Sequence, residues 1–189
     1  MHRVLHDYFQ AKTAGRPRNE LEVIERFRKE MRESRMEDPL QFELYEEQGV
    51  AQLKAFLAGS ARAPVEVLAT EQDFEIRVEG VPLRGRIDRV DQLPGGGLRV
   101  LDYKTGAPKD EKAAEESLQL AIYALAVKEK YGKLPERVAF HNLESDTIVE
   151  VPPSDKLIKS AREAVHKAAE GIAQAKFVAK PGFQCRWCA

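Results

Sequence analysis

The sequence predicts a mixed α/β (α+β) fold: a central mixed sheet built from a three-strand meander and two later strands, flanked by helices and preceded by a helical N-terminal portion. Three observations predict it. Residues 65–78, 83–93 and 98–104 are consecutive strand-like runs separated only by Glu79-Gly80 and Pro94-Gly95-Gly96-Gly97, which are turn chemistry. Before them, apolar residues recur three and four apart instead of alternating. After them, helical and strand-like patterns alternate.

Each element has its own signal. Residues 2–12 place Val4, Leu5, Tyr8 and Phe9 on one helix face, and Arg16-Pro17 ends the pattern. Residues 19–35 are densely charged, with a thin apolar stripe of Leu21, Ile24, Phe27 and Met31; Asp38-Pro39 punctuates. Residues 41–58 are anchored by Leu44, Val50, Leu53, Phe56 and Leu57. The three strands follow, then a helix from about Glu115 to Tyr131, and two short strands, 137–142 and 147–151, around Ser145-Asp146. Pro152-Pro153-Ser154 opens a long helix to about Lys176, with Ser154 as N-cap and Leu157, Ala161, Val165, Ala168 and Ile172 on the docking face. Residues 1–60 read as the helical portion, 61–151 as the core and 152–189 as the C-terminal helix and cysteine-bearing tail, all within one structural domain.

Composition narrows the class. Thirty Lys and Arg balance 31 Asp and Glu, for a net charge of -1. Such a chain has no bulk attraction to nucleic acid, so a nucleic-acid site must be a local basic patch. No apolar run approaches the ~20 residues of a membrane span, and the start lacks a signal-peptide core, so no membrane role is expected. Two cysteines three positions apart are no disulfide framework and fit a reducing, cytoplasmic setting.

The chemistry concentrates in Gly85-Arg86-Ile87-Asp88-Arg89-Val90-Asp91 and Val100-Leu101-Asp102-Tyr103-Lys104-Thr105-Gly106. In a strand, Asp102 and Lys104 share a face while Tyr103 points to the other and packs. A hairpin register with Asp88 opposite Asp102 centres the turn on Gly95 and requires an odd loop or a bulge. An even loop would send the two acids to opposite faces. Glycines at 95–97 supply the left-handed residue that such a loop needs. The same register sets Arg86 opposite Lys104. Two carboxylates can grip a hard divalent cation while a lysine meets phosphate charge or orients water, which suits metal-assisted phosphodiester hydrolysis. The competing reading is solvated acids and a solvated lysine at strand ends. Gln119 and Tyr123 lie i, i+4 on one helix face beside Leu118, Ile122 and Leu125, either as a polar rim or as part of the site.

These segments resemble the PD-(D/E)xK nuclease superfamily, and in particular its RecB-like branch, which carries a restriction-endonuclease-like core. Asp88 stands for the first Asp of the motif and Asp102-Tyr103-Lys104 for (D/E)xK. Gln119-Leu120-Ala121-Ile122-Tyr123 resembles the branch's Q-x-x-x-Y helix. His2-Arg3-Val4-Leu5 with Phe9 resembles its early H-x-x-L helix, and Cys185-Arg186-Trp187-Cys188 its cysteine-bearing tail. The resemblance implies DNA as substrate and Mg²⁺ or Mn²⁺ held by Asp88, Asp102, the Tyr103 carbonyl and His2, with His6 the rival histidine. It implies that Lys104, Gln119 and Tyr123 act in catalysis or hold the DNA backbone or a water. Glu71, read at the opening of the first strand, is either a secondary metal or water contact or a solvated acid. Arg84, Arg86 and Arg89 are candidate DNA contacts, with Lys109 and Lys112 nearby; His141 and His166 have no partner in this reading.

The resemblance also implies a setting. Such domains often follow a UvrD-type helicase in recombinational repair, and this chain lacks a G-x-x-x-x-G-K-[ST] phosphate loop of its own. The alternatives are a stand-alone single-strand exonuclease of the CRISPR-adaptation type and a non-catalytic DNA-binding module; retention of Asp88, Asp102 and Lys104 argues against the last. Cys185 and Cys188 are half of the four thiolates an iron–sulphur cluster needs. A [4Fe-4S] cluster is therefore expected only in a longer chain, of which this sequence would be an excised part, and residues after Gly182 are expected to be anchored, if at all, by Phe183 and Trp187.

Overall fold

The structure, a computed structural model, describes residues 1–34, 36–62 and 65–187, with Gln184 and Trp187 described in backbone alone. Three helices come first: α1 (His2–Thr13), α2 (Glu20–Glu33) and α3 (Pro39–Arg62). Asn19 starts α2 with a reciprocal capping box, its side chain accepting from Glu22 N–H while the Glu22 carboxylate accepts from Asn19 N–H. The meander is β1 (Glu66–Val78), β2 (Val81–Gln92) and β3 (Leu98–Lys104). Then come α4 (Glu111–Glu115), α5 (Leu118–Tyr131), β4 (Arg137–Asn142), β5 (Thr147–Val151) and α6 (Asp155–Ala173), followed by a 3₁₀ turn, Phe183–Trp187.

The strands form one mixed sheet in chain order, β1-β2-β3-β4-β5. All neighbours are antiparallel except β3 and β4, which the α4–α5 crossover makes parallel. The β2–β3 register runs from Arg89–Leu101 to Gln92–Leu98, which is the register expected from an odd loop. The loop closes with Leu93 N–H donating to Gly97 C=O at 2.7 Å, and Gly95 and Gly96 both adopt positive φ, 90° and 84°. An L-residue with a side chain would be strained at either position.

Each face of the sheet carries its own apolar layer. On one side α5 and α6 pack on Ile76, Ile87, Val90, Val100, Val138 and Phe140, burying Leu120, Ala124, Val127, Leu157 and Ala161. On the other, Val4, Leu5 and Phe9 of α1, Val23 and Phe27 of α2, and Leu53 and Phe56 of α3 gather around Tyr103 and Leu143. Full burial of such a side chain stabilises by roughly 1.5–3 kcal/mol. Helices α2 and α3 close tightly because the Phe27 ring lies over Gly49, where a Cβ would come 2.1 Å from Phe27 Cζ.

Several expectations change. The helix expected from about Glu115 begins at Leu118, where Ser117 caps α5 through Leu120 N–H, and an unforeseen short helix, α4, capped by Asp110 through Ala113 N–H, precedes it. Helix α3 is longer than its apolar spacing indicated, and α6 ends before Lys176. Docking of α6 stops at Val165; Ala168 is exposed and Ile172 is 66% exposed. Phe183 is 70% exposed and, among the described residues, has only the Arg186 guanidinium over its ring, so it does not bury into the core; Cys188 and the Trp187 side chain lie outside the described residues. Among the described residues, no helix is long and apolar enough to cross a membrane.

Beneath the α1–α3 layer lies an ionic network that the sequence reading missed. Asp91 is fully buried and accepts from Arg89 at 2.7 and 2.8 Å and from Arg99 at 2.9 and 3.2 Å. Arg99 also reaches Glu150 at 3.0 Å. Arg89 is only 3% exposed, donates to the Tyr103 hydroxyl and lies over the Phe9 ring. It is a core residue, and its candidacy as a DNA contact fails on burial. Removing one member of such a group leaves a buried charge uncompensated. Asp91→Ala should therefore lower the unfolding free energy by roughly 3–5 kcal/mol in urea melts, whereas Glu75→Ala, which removes an exposed partner of Arg84, should cost less than about 1 kcal/mol.

Candidate active site

The β2–β3 ladder stops at Arg89–Leu101, one step short of Asp88 and Asp102. There the Asp88 carboxylate takes the place of the next ladder bond, its Oδ2 accepting from the Tyr103 N–H at 2.7 Å. Helix α1 delivers His2 to the same oxygen, with Nε2 at 3.2 Å. That hydrogen bond raises the His2 pKa, although burial works against it. His6, one turn on, instead meets Thr70 Oγ1 at 2.7 Å. Of the two histidines, His2 is the one beside Asp88.

Asp102 and Lys104 share the α5 face of β3, as their spacing predicted. Lys104 Nζ sits 2.5 Å from Asp102 Oδ2 and donates to Gln119 Oε1 at 3.2 Å, while Gln119 Nε2 donates to the Tyr123 hydroxyl at 2.9 Å. The i, i+4 pair on α5 thus continues a polar chain that starts at Asp102. Burial pushes the Asp102 carboxyl above the usual carboxylate range, helped by the nearby Asp88 charge and opposed by Lys104. Burial likewise pushes the Tyr123 phenol up to about 12, so it is a neutral donor near pH 7. Tyr103 faces the other way, 4% exposed in the α1–α3 layer, its phenol also pushed up to about 12 by burial.

Glu71 lies in the middle of β1, not at its opening, and it breaks the strand's alternation. Thr70 meets His6 of α1, yet Gln72, two residues on, meets Tyr131 of α5. A regular strand would put both on one face. Glu71 reverses the phase by adopting φ 48°. Strand β2 reverses at the matching step, since Arg89 lies over Phe9 while Ile87 packs in the α5–α6 layer. The flanking pairs Thr70–Arg89 and Gln72–Ile87 set Glu71 opposite Asp88. Its side chain is 17% exposed, so it is not the solvated acid that one reading allowed.

Other expected residues sit elsewhere. Arg86 lies beyond the β2–β3 ladder and reaches toward β1, paired with Asp73 at 2.6 Å and Glu71 at 3.7 Å. Arg84 is exposed and paired with Glu75 at 3.1 Å. His141 does have a partner: it is buried, its Nε2 lies 2.8 Å from Asp146 Oδ1, and burial lowers its pKa. His166 lies 3.4 Å from Glu170 on the surface of α6. Cys185 is exposed and free. Asn142, 1% exposed and in register with Lys104, was not foreseen; it bonds both the N–H and the C=O of Lys109 and pins the loop after β3. Its signal in the sequence, a polar residue ending an apolar strand, is too common to single out.

The donor set suits a hard cation: acidic oxygens, one imidazole, and two buried oxygens, Asp102 Oδ2 and Glu71 Oε1, that lack an aligned hydrogen-bond partner. Among the described residues, no three His, Cys, Asp or Glu side chains already converge as a closed metal cage. Instead the His2 imidazole contacts Asp88, and the Lys104 ammonium pairs with Asp102.

Because Asp88 raises the His2 pKa, the stability from this contact is fully present below about 6.5 and is lost as pH rises through the higher folded-state value. In EDTA, an NMR titration of His2 should give a midpoint above 6.5, falling toward 6.5 in Asp88→Asn. An unchanged midpoint in that variant would show that Asp88 is not the cause.

A relative from Mycobacterium phage D29, the Gene 69 protein, is 35% identical over 156 residues, covering 74% of this chain and 55% of its own length. The chain thus spans about half of that curated relative. A solved protein from Eubacterium rectale, provisionally named an exonuclease, covers 94% of this chain and 83% of its own at 14% identity, with a TM-score of 0.46. The family profile of the PD-(D/E)XK nuclease superfamily matches residues 1–189. With that match over a five-stranded mixed sheet flanked by helices, the chain belongs to the PD-(D/E)XK nuclease superfamily.

Proposed function

We propose that the chain is a RecB-like, divalent-metal-dependent deoxyribonuclease domain that hydrolyses phosphodiester bonds in DNA. One observation carries the reading: Asp88 and Asp102 arrive together at the end of the β2–β3 hairpin, with Lys104 on Asp102 and His2 on Asp88. Nucleases of this superfamily use divalent metal ions. Here Asp88, Asp102, His2 and the Tyr103 carbonyl are the groups that would hold Mg²⁺ or Mn²⁺. Once bound, the ion supplies Lewis-acid polarisation of the phosphate and a more acidic water.

The chain's own residues do the rest. Tyr103 N–H fixes the orientation of Asp88. Lys104, anchored by Gln119 and lying 5.1 Å from the Phe140 ring centre, keeps its ammonium where it can meet developing phosphate charge or orient the attacking water. Tyr123 holds the Gln119 amide through its hydroxyl oxygen and keeps its own proton free to donate to a phosphate oxygen or a water. Arg84 and Arg86 lie on the exposed arm of β1 and β2, where they can contact the DNA backbone by exchanging their carboxylate partners for phosphates. Strand separation, if the whole protein performs it, belongs to a helicase region elsewhere, as expected for a partner in repair or recombination. Any iron–sulphur cluster likewise requires thiolates beyond Cys185 and Cys188.

Asp102→Ala and Lys104→Ala should each lower Mg²⁺- or Mn²⁺-dependent cleavage of DNA by at least about a hundredfold, with an unchanged circular dichroism spectrum. EDTA should abolish wild-type cleavage. Full activity in folded Asp102→Ala protein would overturn the assignment.

A further inference from the structure

We propose that Asn142 is a positioning residue for DNA: it staples Lys109 to the end of β4 and so holds the loop 105–109 as a wall of the catalytic cleft, with Lys109 meeting the DNA backbone. The inference rests on the nuclease reading above and adds a contact to it. Asn142 stands beside Lys104 in the parallel β3–β4 register, as Phe140 stands beside Asp102. Phe140 packs in the α5–α6 layer, so Asn142, two residues on, points to that same face, which Asp102 and Lys104 share. Asn142 is 1% exposed, and both ends of its amide engage one residue: Oδ1 accepts from Lys109 N–H at 2.8 Å and Nδ2 donates to Lys109 C=O at 2.9 Å. The loop is held at its start as well, where Leu143 N–H donates to Lys104 C=O at 2.9 Å and Gln52 of α3 donates to the Thr105 carbonyl at 3.4 Å.

A strand end alone does not need this arrangement. A buried position on an apolar face is filled most favourably by an apolar side chain, as Val138 and Phe140 fill theirs. Position 142 instead carries an amide that directs two hydrogen bonds to the loop leaving the active-site lysine. Those two bonds imitate a rung of the β ladder, and they fix the Lys109 backbone on the order of 10 Å from Lys104, about two strand spacings. The Lys109 side chain is exposed. Among the described residues it enters no ion pair, whereas Arg84 and Arg86 each already hold a carboxylate. The neighbouring Asp110 carboxylate is engaged with Ala113 N–H as the cap of α4. A lysine held in this way, beside a second lysine that meets the scissile phosphate, fits a neighbouring phosphate of the same strand. Contacts of this kind set the position of the nucleic acid without reading its sequence.

The test reads binding of a fluorescein-labelled oligodeoxynucleotide in EDTA, by anisotropy, across roughly 50 to 200 mM salt. Lys109→Ala should flatten the plot of log affinity against log salt by about 0.9, the loss of one phosphate contact. Asn142→Leu, with its fold checked by circular dichroism, keeps Lys109 but frees the loop, and should flatten the plot by the same amount. The double variant should flatten it no further, because the two changes remove one contact. In Mg²⁺ the loss should fall on KM rather than kcat. Amide exchange gives a readout that needs no variant: the Lys109 N–H should exchange slowly in wild type despite the exposure of the residue. Wild type that neither binds nor cleaves DNA would remove the nuclease reading and this inference together. Wild type that binds DNA while Lys109→Ala keeps the full salt slope would overturn the inference and leave that reading standing. A Lys109 amide that exchanges as fast as an unstructured one would do the same. Losses that simply add in the double variant would make Asn142 a structural residue with no part in the Lys109 contact, which also overturns the proposal.

Discussion

The register between β2 and β3 is the constraint on which the site depends. Because side chains alternate along a strand, a slip of one residue would carry Asp88 to the opposite face from Asp102. The five-residue connection Leu93–Gly97 prevents that slip, with Gly95 and Gly96 absorbing the positive dihedrals. The parallel pairing of β3 with β4 then holds Asp102 and Lys104 beside Phe140 and Asn142. Helix α5, capped by Ser117, meets Lys104 with Gln119. Each later contribution is made against a hairpin end whose geometry a short loop has already determined.

The same register separates two electrostatic regimes. On the α1–α3 face, Asp91 sits opposite Arg99 and beside Arg89, and these three charges are paired with one another. On the α5 face and at the sheet's end, Asp88 and Asp102 lean on His2 and Lys104, while Glu71 and Asp102 keep oxygens without aligned partners. The first arrangement is satisfied internally and fixes structure. The second leaves acceptor oxygens without aligned donors, which is the capacity the proposed cation would use. Burial pushing the Asp102 carboxyl upward expresses the same tension.

Much of this was legible in the sequence, for identifiable reasons. The Asp102–Lys104 spacing and the glycines at 95–97 specify face and loop parity, and these are local properties of a strand and a turn. The pairing of Gln119 with Tyr123 follows from helical spacing alone. Arg89 was misread because a charged residue next to a motif looks like a ligand contact, and its burial depends on Phe9 and Asp91 arriving from other elements. The Asp91–Arg99 pair was accessible, since the register that faces Asp88 with Asp102 also faces these two. Glu71 was named, but its conformation was not accessible: nothing in Thr70-Glu71-Gln72 announces a left-handed residue, and the reversal arises where α1 and α5 claim opposite faces of neighbouring residues. The short helix at 111–115 was missed, and the start of the next was set too early, because neither Asp110 nor Ser117 was recognised as a cap.

The central claim is that the hairpin end is a cation site. Its most direct test is a crystal of the chain soaked in Mn²⁺ and measured at a wavelength where manganese scatters anomalously. The account predicts an anomalous peak bounded by the Asp88 and Asp102 carboxylates, with His2 on its α1 side. A peak beside His6 instead of His2 would change only the choice of histidine. An ordered site with both carboxylates in place and no anomalous density near either would contradict the account.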